Sequence, residues 1–323
     1  MTLSQLRAFL AVARLGAVKA AAASLEVSEP AVSGAVACLR RELGDPLFVR
    51  SGGGIVLTPG GRRLAASAAD ILGLAEEARR NIGEIAYEVP QLKVAATASV
   101  AEYVVPPLLE AFGKRYTALE ASTLVVPGNA IADVLRDRRA DVAVGPRPPG
   151  YENDTTIESI SVLKYQLVVV AAHNAARSYR GPGGAARLAA ENWLLGPSGL
   201  DPDTIAGAFL QRIGVRAEDI RAFPSVAAAL DRVTAGEGLT IVYGHVVQPA
   251  VRDGRLSVVT VPGTPVNGLL YASALSVDRR APTASALLRW ITTPMATHAM
   301  QTVSSGVPMA KFRPPVYVTL WRP

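Results

Sequence analysis

Residues 16–44 read GAVKAAAASLEVSEPAVSGAVACLRRELG, and this stretch decides the fold of the amino-terminal part of the chain. It predicts a short alanine-rich helix, a tight turn at Glu26-Val27 and a second helix that opens on Ser28, a favourable N-cap. The apolar residues of the second helix recur at steps of four, three and four, as one stripe: Val32, Val36, Leu39 and Leu43. This spacing indicates a helix-turn-helix, although a helical hairpin in an ordinary core would show it too.

The residues that follow favour the helix-turn-helix interpretation. Residues 46–59, PLFVRSGGGIVLTP, are two short β-rich runs around a Ser-Gly-Gly-Gly turn, which predicts a hairpin. Before the motif, residues 3–15 predict a first helix that would complete a small helical domain. A helix-turn-helix followed by a hairpin is a winged arrangement.

The winged region resembles the amino-terminal signature of LysR-type transcriptional regulators. Many positions agree in register, and they are Leu6, Phe9, Gly16, Ala21-Ala22, Leu25, Ser28, Pro30-Ala31-Val32-Ser33, Leu39, Leu43-Gly44, Leu47-Phe48, Arg50, Leu57-Thr58 and Gly60 or Gly61. The resemblance implies a sequence-specific DNA-binding regulator controlled by a small-molecule effector. It also implies that the chain is not an enzyme.

The outward face of the second helix is the candidate surface for double-stranded DNA. With the apolar stripe buried, we expect the DNA-facing residues to be Ser28, Glu29, Pro30, Ser33, Gly34, Arg40 and Arg41, with Arg50 added from the wing. Few of these side chains can read base edges, so we expect affinity to depend on phosphate contacts and DNA shape. Cys38, on the same helix, is interpreted as a small helix residue rather than a redox sensor.

A long helix is predicted to start at Thr58-Pro59, a capping residue followed by proline. Its apolar residues alternate at steps of four and three, at Leu64, Ala68, Ile71, Ala75, Ala78, Ile82, Ile85 and Val89. This is a heptad seam, and it favours a helix that pairs with a second copy over one that lies on a domain surface. We therefore expect a homodimer or homotetramer.

Composition and charge agree with this interpretation. The chain has 323 residues, a net charge of +6 and a pI of about 9.6. Residues 1–63 hold eight basic and four acidic side chains, so most of the excess lies in this first fifth of the chain. The single cysteine excludes an intrachain disulfide, and the absence of a signal peptide or apolar span predicts a cytoplasmic protein without membrane contact.

From Gln91 the pattern changes to alternating strands and helices, which predicts a parallel, doubly wound sheet. We expect one helix over 101–116, a second α/β unit from residue 165, and one closing helix over 283–300. The plan resembles the two-lobed, periplasmic-binding-protein-like effector domain of LysR regulators. The predicted fold is thus α+β and multidomain, with these boundaries: winged helix-turn-helix 1–58, linker helix 59–90, effector domain 91–302 (lobe I 91–161 and 268–302, lobe II 162–267) and tail 303–323.

Ligands of such two-lobed folds bind between the lobes, at the carboxyl ends of strands and near helix N-termini. The candidate effector-binding residues that follow predicted strands or end them are Thr97, Ser99, Asn129, Arg147, Ser198 and Tyr243. An arginine among them makes a small carboxylate a plausible effector. The alternative is that they are turn and capping residues that bind no ligand. The sequence leaves both interpretations open.

Catalytic and metal-binding patterns are missing from the sequence. His173, His245 and His298 are scattered, and no GxSxG, Walker or strand-linked GxGxxG motif occurs, so we predict no cofactor and no metal site. The alternative is a cytoplasmic small-molecule-binding protein or enzyme with an accessory helix-turn-helix domain. RNA polymerase is a further candidate partner of a regulator.

Overall fold

In a computed structural model, the described residues are 1–51, 54–85, 90–116, 119–147, 154–173, 175, 184–199, 201, 204–260 and 263–302. The chain divides into two compact units. The first comprises residues 1–89 with 136–139, and the second comprises the remaining residues from Pro90 onward. The predicted tail, residues 303–323, lies outside the described residues.

Three helices form the centre of the first unit: α1 (Leu3–Leu15), α2 (Val18–Ser24) and α3 (Glu29–Leu43). The turn between α2 and α3 holds Glu26 at a positive φ, and the Ser28 hydroxyl accepts a hydrogen bond from the Ala31 amide at 3.4 Å. A shared apolar core includes Leu6, Phe9 and Leu39. The predicted helix-turn-helix is present, but Leu43, predicted on the buried stripe, is exposed at the last residue of α3.

The wing is the hairpin of β1 (Phe48–Ser51) and β2 (Gly54–Leu57), and α4 (Pro59–Ile85) follows it. Asp45 links α3 to α4, because its carboxylate accepts the Leu47 amide at 2.6 Å and the Thr58 hydroxyl at 2.7 Å. These two hydrogen bonds lower the pKa of Asp45. Thr58 in turn accepts the Gly61 amide at 2.8 Å, which caps the start of α4.

The first lobe of the second unit contains β3 (Gln91–Ala96), α5 (Ala98–Tyr103), α6 (Val105–Gly113), β4 (Glu120–Val125), α7 (Ile131–Arg136) and β5 (Val142–Gly145). β3 lies between β5 and β4 and pairs with both in parallel, as predicted. The single helix expected over 101–116 is wrong. It breaks at Val104, because the following prolines disfavour a continuous helix there and Val104 leaves ideal helical geometry.

The second lobe adds β6 (Ile157–Ala172), α8 (Gly184–Ala189), β7 (Trp193–Leu195), α9 (Ile205–Ile213), β8 (Ile220–Ala222), α10 (Val226–Thr234), β9 (Thr240–Tyr243), α11 (Gly244–Arg252) and β10 (Leu256–Val259). β9 and β10 both pair with β6 in the antiparallel sense. The expectation of a second parallel unit is therefore wrong, since the parallel pairings among the described residues of this lobe are short and all involve β7.

The chain then returns to the first lobe through β11 (Val266–Leu275), α12 (Pro282–Ile291) and α13 (Pro294–Gln301). β11 pairs with β6 along its whole length and with β5, so two antiparallel strands join the lobes. The single closing helix expected over 283–300 is also wrong, because Thr293 caps a new helix whose first residue is Pro294. Among the described residues, no helix combines the length and apolarity that a membrane crossing requires.

Candidate functional site

The outward face of α3 is the first candidate site. Val32, Val36 and Leu39 are buried against the core of the first unit. The predicted DNA-facing residues of this helix and its cap are all exposed: Ser28, Glu29, Pro30, Ser33, Gly34, Arg40 and Arg41. Arg50 lies in β1, opposite Ile55, and its side chain is outside the described part of the chain.

The two arginines at the end of α3 differ in their surroundings. The Arg40 guanidinium lies 5.9 Å from the centre of the Phe48 ring, a cation–π contact that holds it beside the wing. The Arg41 guanidinium donates a hydrogen bond to the Cys38 sulfur at 3.3 Å. Both charges are exposed at the carboxyl end of the helix, where an anionic backbone could reach them.

A cavity in the second unit is the other candidate site. It encloses about 100 Å³, room for several waters or one small ring. Most of its wall is apolar, and the residues that line it are Thr97, Ser99, Pro146, Tyr165, Leu167, Leu195, Gly196, Gly199, Thr204, Ile205, Ala206, Val226, Ile241, Val242, Tyr243 and Leu270. Among these described lining residues, none carries a charged side chain.

Three hydroxyl-bearing residues form a polar end of the cavity. Thr97 is the N-cap of α5, Ser99 lies in its first turn, and the Ser99 and Tyr243 hydroxyl oxygens are 3.5 Å apart. Burial raises the pKa of Tyr243 to about 12, so its hydroxyl stays protonated at neutral pH and can donate a hydrogen bond. This arrangement suits an acceptor group on a bound molecule.

Tyr165 forms the wall next to this polar end. Its ring meets Tyr243 edge to face with centroids 4.9 Å apart, and burial raises the pKa of its hydroxyl. The ring also lies against Gly268 of β11, where a Cβ atom would come within 2.3 Å of it. Glycine at this position therefore leaves the space that the aromatic ring occupies.

Of the other predicted effector residues, Asn129 and Arg147 have described side chains, and neither lines the cavity. Asn129 is exposed in a short 3₁₀ turn, and Arg147 is exposed with its guanidinium 5.8 Å from the Tyr271 ring. The side chain of Ser198 is outside the described residues, although the neighbouring Gly199 lines the cavity. Strand-end position alone did not distinguish Thr97 and Ser99 from Asn129, because that distinction depends on which way each loop turns.

His245, two residues after Tyr243, is a half-buried group to which the sequence assigned no role. Its ring stacks on Tyr243 with centroids 5.6 Å apart, and its Nε2 atom is buried without a hydrogen-bond partner among the described residues. Burial lowers the pKa of His245 to about 4. The neutral imidazole is therefore the form that packs against the cavity wall at neutral pH.

This lowered pKa predicts an acid-sensitive fold. An unfolded histidine has a pKa of about 6.5, so protonation opposes folding as the pH falls from that value toward 4. Above pH ~6.5 the histidine is neutral in both the folded and the unfolded state, so its burial costs no stability. At pH ~5 we expect the unfolding free energy to be lower by about 2 kcal/mol. In His245→Gln this difference between pH 7 and pH 5 should shrink, as measured by urea denaturation. An unchanged difference would show that His245 does not cause the acid sensitivity. His173→Gln, at an exposed histidine, is the control and should keep the wild-type difference.

No grouping of three or more His, Cys, Asp or Glu side chains that could hold a metal ion occurs within the described ranges. The chemistry available in the cavity is apolar contact and hydrogen bonding. The arrangement can therefore bind and orient a small molecule.

Comparison with protein families identifies two matching regions. Residues 3–62 match the family described as "Bacterial regulatory helix-turn-helix protein, lysR family", and residues 87–296 match the "LysR substrate binding domain". The second match covers the residues that line the cavity. Together the two matches span both compact units.

Individual proteins agree with these matches. An uncharacterized HTH-type transcriptional regulator of Mycobacterium tuberculosis (strain H37Rv) is 39% identical over 322 residues, covering 99% of this chain and 100% of the relative. The structure of ArgP from Mycobacterium tuberculosis superposes with a TM-score of 0.60 at 21% identity, covering 92% of this chain and 96% of that one. Full-length CbnR in complex with its target DNA gives a TM-score of 0.55 at 24% identity, with coverage of 92% and 100%.

Proposed function

This chain belongs to the LysR family of bacterial transcriptional regulators, and we propose that a small, largely apolar effector in the cavity controls how it holds double-stranded DNA. The chain is a regulator and not an enzyme, with a DNA-binding helix-turn-helix domain and an effector-binding domain. The observation that carries the proposal is the cavity, whose apolar walls end in three hydroxyl-bearing residues.

The proposed DNA contacts are those of the exposed α3 face and the wing. We assign them to Ser28, Glu29, Pro30, Ser33, Gly34, Arg40, Arg41 and Arg50. The arginines would bind phosphates and fix the register of the protein on the duplex. Because few long polar side chains face outward, DNA shape would supply much of the specificity. The basic excess of residues 1–63 supports the assignment.

The proposed assembly is a homodimer or homotetramer through α4 and the effector domain. Ile71 and Leu74 of α4 are exposed in a single chain, at 36% and 55%, and a second copy of the helix would bury such side chains. Paired subunits would hold two half-sites at a spacing fixed by the protein. We further propose that the protein works in the cytoplasm, where it would meet both its operator and RNA polymerase.

The proposed effector is a compact molecule with an apolar body and one polar end, most simply a carboxylate. The Ser99 and Tyr243 hydroxyls would donate hydrogen bonds to that end, with Thr97 beside them. Asn129, Arg147 and Ser198 remain candidates for contacts made at the mouth of the site. The size of the cavity favours a single ring or a short chain.

Ligand pairs that differ only in charge test this effector site. We expect some single-ring or short-chain carboxylic acids to raise the melting temperature of the full-length protein more than their amides do. In Tyr243→Phe the affinity for such an acid should fall roughly tenfold, because a hydrogen bond to a charged acceptor is lost. Tyr271→Phe, outside the cavity, is the matched control. Equal stabilisation by acids and amides, or equal affinity in both variants, would contradict the proposal.

A further inference from the structure

Glu102 connects the two lobes beside the cavity. It lies in α5, one helical turn after Ser99, so the two side chains share a face of that helix. Its carboxylate oxygens accept the amides of Val226 and Ala227 at 3.0 Å each. These amides are the first two of α10, which the second lobe contributes, and Val226 itself lines the cavity.

The contact has the chemistry of an anion bound at a helix N-terminus. The first amides of an α-helix have no partner within the helix, and the helix dipole favours negative charge there. The Ser225 hydroxyl caps the third amide, that of Ala228, at 3.1 Å. Glu102 and Ser225 together therefore satisfy the first three amides of α10.

The side chain next to Glu102 on α5, Tyr103, is within electrostatic range of α10. The pKa of Tyr103 is raised by burial first, and then by the negative charges of Glu102 and of Asp231 on α10. On the cavity side, the Val226 side chain packs against Gly196, where a Cβ atom would come within 2.7 Å of it. The start of α10 is thus held from both sides.

We propose that Glu102 is a positioning residue that holds the second lobe against the first in the absence of effector. Its carboxylate occupies the end of α10 that an anionic effector would otherwise use. The polar end formed by Thr97, Ser99 and Tyr243 is then left for the effector. If the effector binds as proposed above, its charged group is received at Thr97, Ser99 and Tyr243 and not at the start of α10.

Hydrogen–deuterium exchange of the full-length protein without effector tests the contact directly. We expect the amides of Val226 and Ala227 to exchange roughly tenfold faster in Glu102→Ala, because each loses a charged acceptor. The Ala228 amide, which Ser225 caps, should change less and serves as the reference within the same helix. Glu110→Ala removes an exposed carboxylate from α6 and should leave all three amides unchanged.

Acetate provides a second measurement, because it restores the carboxylate that Glu102→Ala removes. Relative to sodium chloride at equal ionic strength, sodium acetate should raise the melting temperature of Glu102→Ala more than that of the wild type or of Glu110→Ala. If Glu102→Ala does not fold, Glu102→Gln keeps the side-chain volume and should give intermediate exchange. Wild-type exchange at Val226 and Ala227 in the variants, or an equal acetate effect in all proteins, would overturn the proposal. Neither measurement uses an effector, so such a failure leaves the effector-site proposal standing.

Discussion

Replacing Gly61 with alanine is expected to unfold the DNA-binding unit at temperatures where the wild type is stable. Gly61 is buried in the first turn of α4, and a Cβ atom there would lie 2.1 Å from the Leu47 carbonyl oxygen. That oxygen already accepts the Thr58 amide at 3.0 Å, and Leu47 holds a positive φ. The backbone cannot move away without breaking the junction between α3, the wing and α4.

We expect Gly61→Ala to lower the unfolding free energy by about 3 kcal/mol, at the upper end for overpacked cores. Urea denaturation of the purified protein would measure the change, and specific DNA binding should be lost with the fold. Gly34→Ala is the matched control for the denaturation measurement, because a Cβ atom on this exposed α3 residue would meet nothing within 4 Å. Alanine should stabilise that helix by about 1 kcal/mol. Equal stability of Gly61→Ala and the wild type would show that the junction is more adaptable than its geometry indicates.

Removing both arginines at the end of α3 is expected to have the largest effect on DNA binding. Arg40 and Arg41 are exposed, and each would neutralise a phosphate on bound DNA. We expect Arg40→Ala/Arg41→Ala to weaken binding roughly 100-fold at moderate salt. The slope of log affinity against log salt should fall by about two for each subunit. Fluorescence anisotropy with DNA from upstream of the gene, over a range of salt concentrations, would measure both quantities.

Two further variants separate phosphate contact from base contact and from net charge. Arg41→Lys keeps the charge but loses the planar fork, so affinity retained in this variant indicates phosphate contact and affinity lost indicates base readout. Arg216→Ala/Arg255→Ala removes two exposed charges from the effector unit and should bind DNA like the wild type. If this control and the α3 variant weaken binding equally, the α3 face is not the DNA surface.

Local patterns predicted the DNA-binding unit closely. Both α1 and α3 form where they were predicted, Val32, Val36 and Leu39 are buried, and Ser28 caps α3 as its side chain and position predict. The exception, Leu43, is exposed because it lies in the last turn, where the core of the unit has ended. Periodicity and capping succeed here because short helices around one small core depend mainly on residues close together in sequence.

The effector unit was predicted less completely, because its organisation depends on distant pairings. β6 was expected only from residue 165, yet it starts at Ile157, since its first half pairs with β11 more than a hundred residues later. The sequence identified Thr97, Ser99 and Tyr243 as strand-end residues but gave no sign of Tyr165 as a wall. Glu102 reads as an ordinary surface acid until the fold brings α10 to it.

The β6–β11 pair also determines how one lobe can rotate against the other. A connection made of two hydrogen-bonded strands spreads a rotation over many backbone dihedrals, so its elastic energy rises gradually with angle and no single residue acts as a pivot. The register shift between Leu270 and Tyr271 interrupts the hydrogen-bonded ladder of this ribbon. Leu270 lines the cavity, so a molecule bound there would touch the ribbon beside this interruption. Occupancy would then be transmitted as a graded change of angle rather than as a switch between two rigid positions.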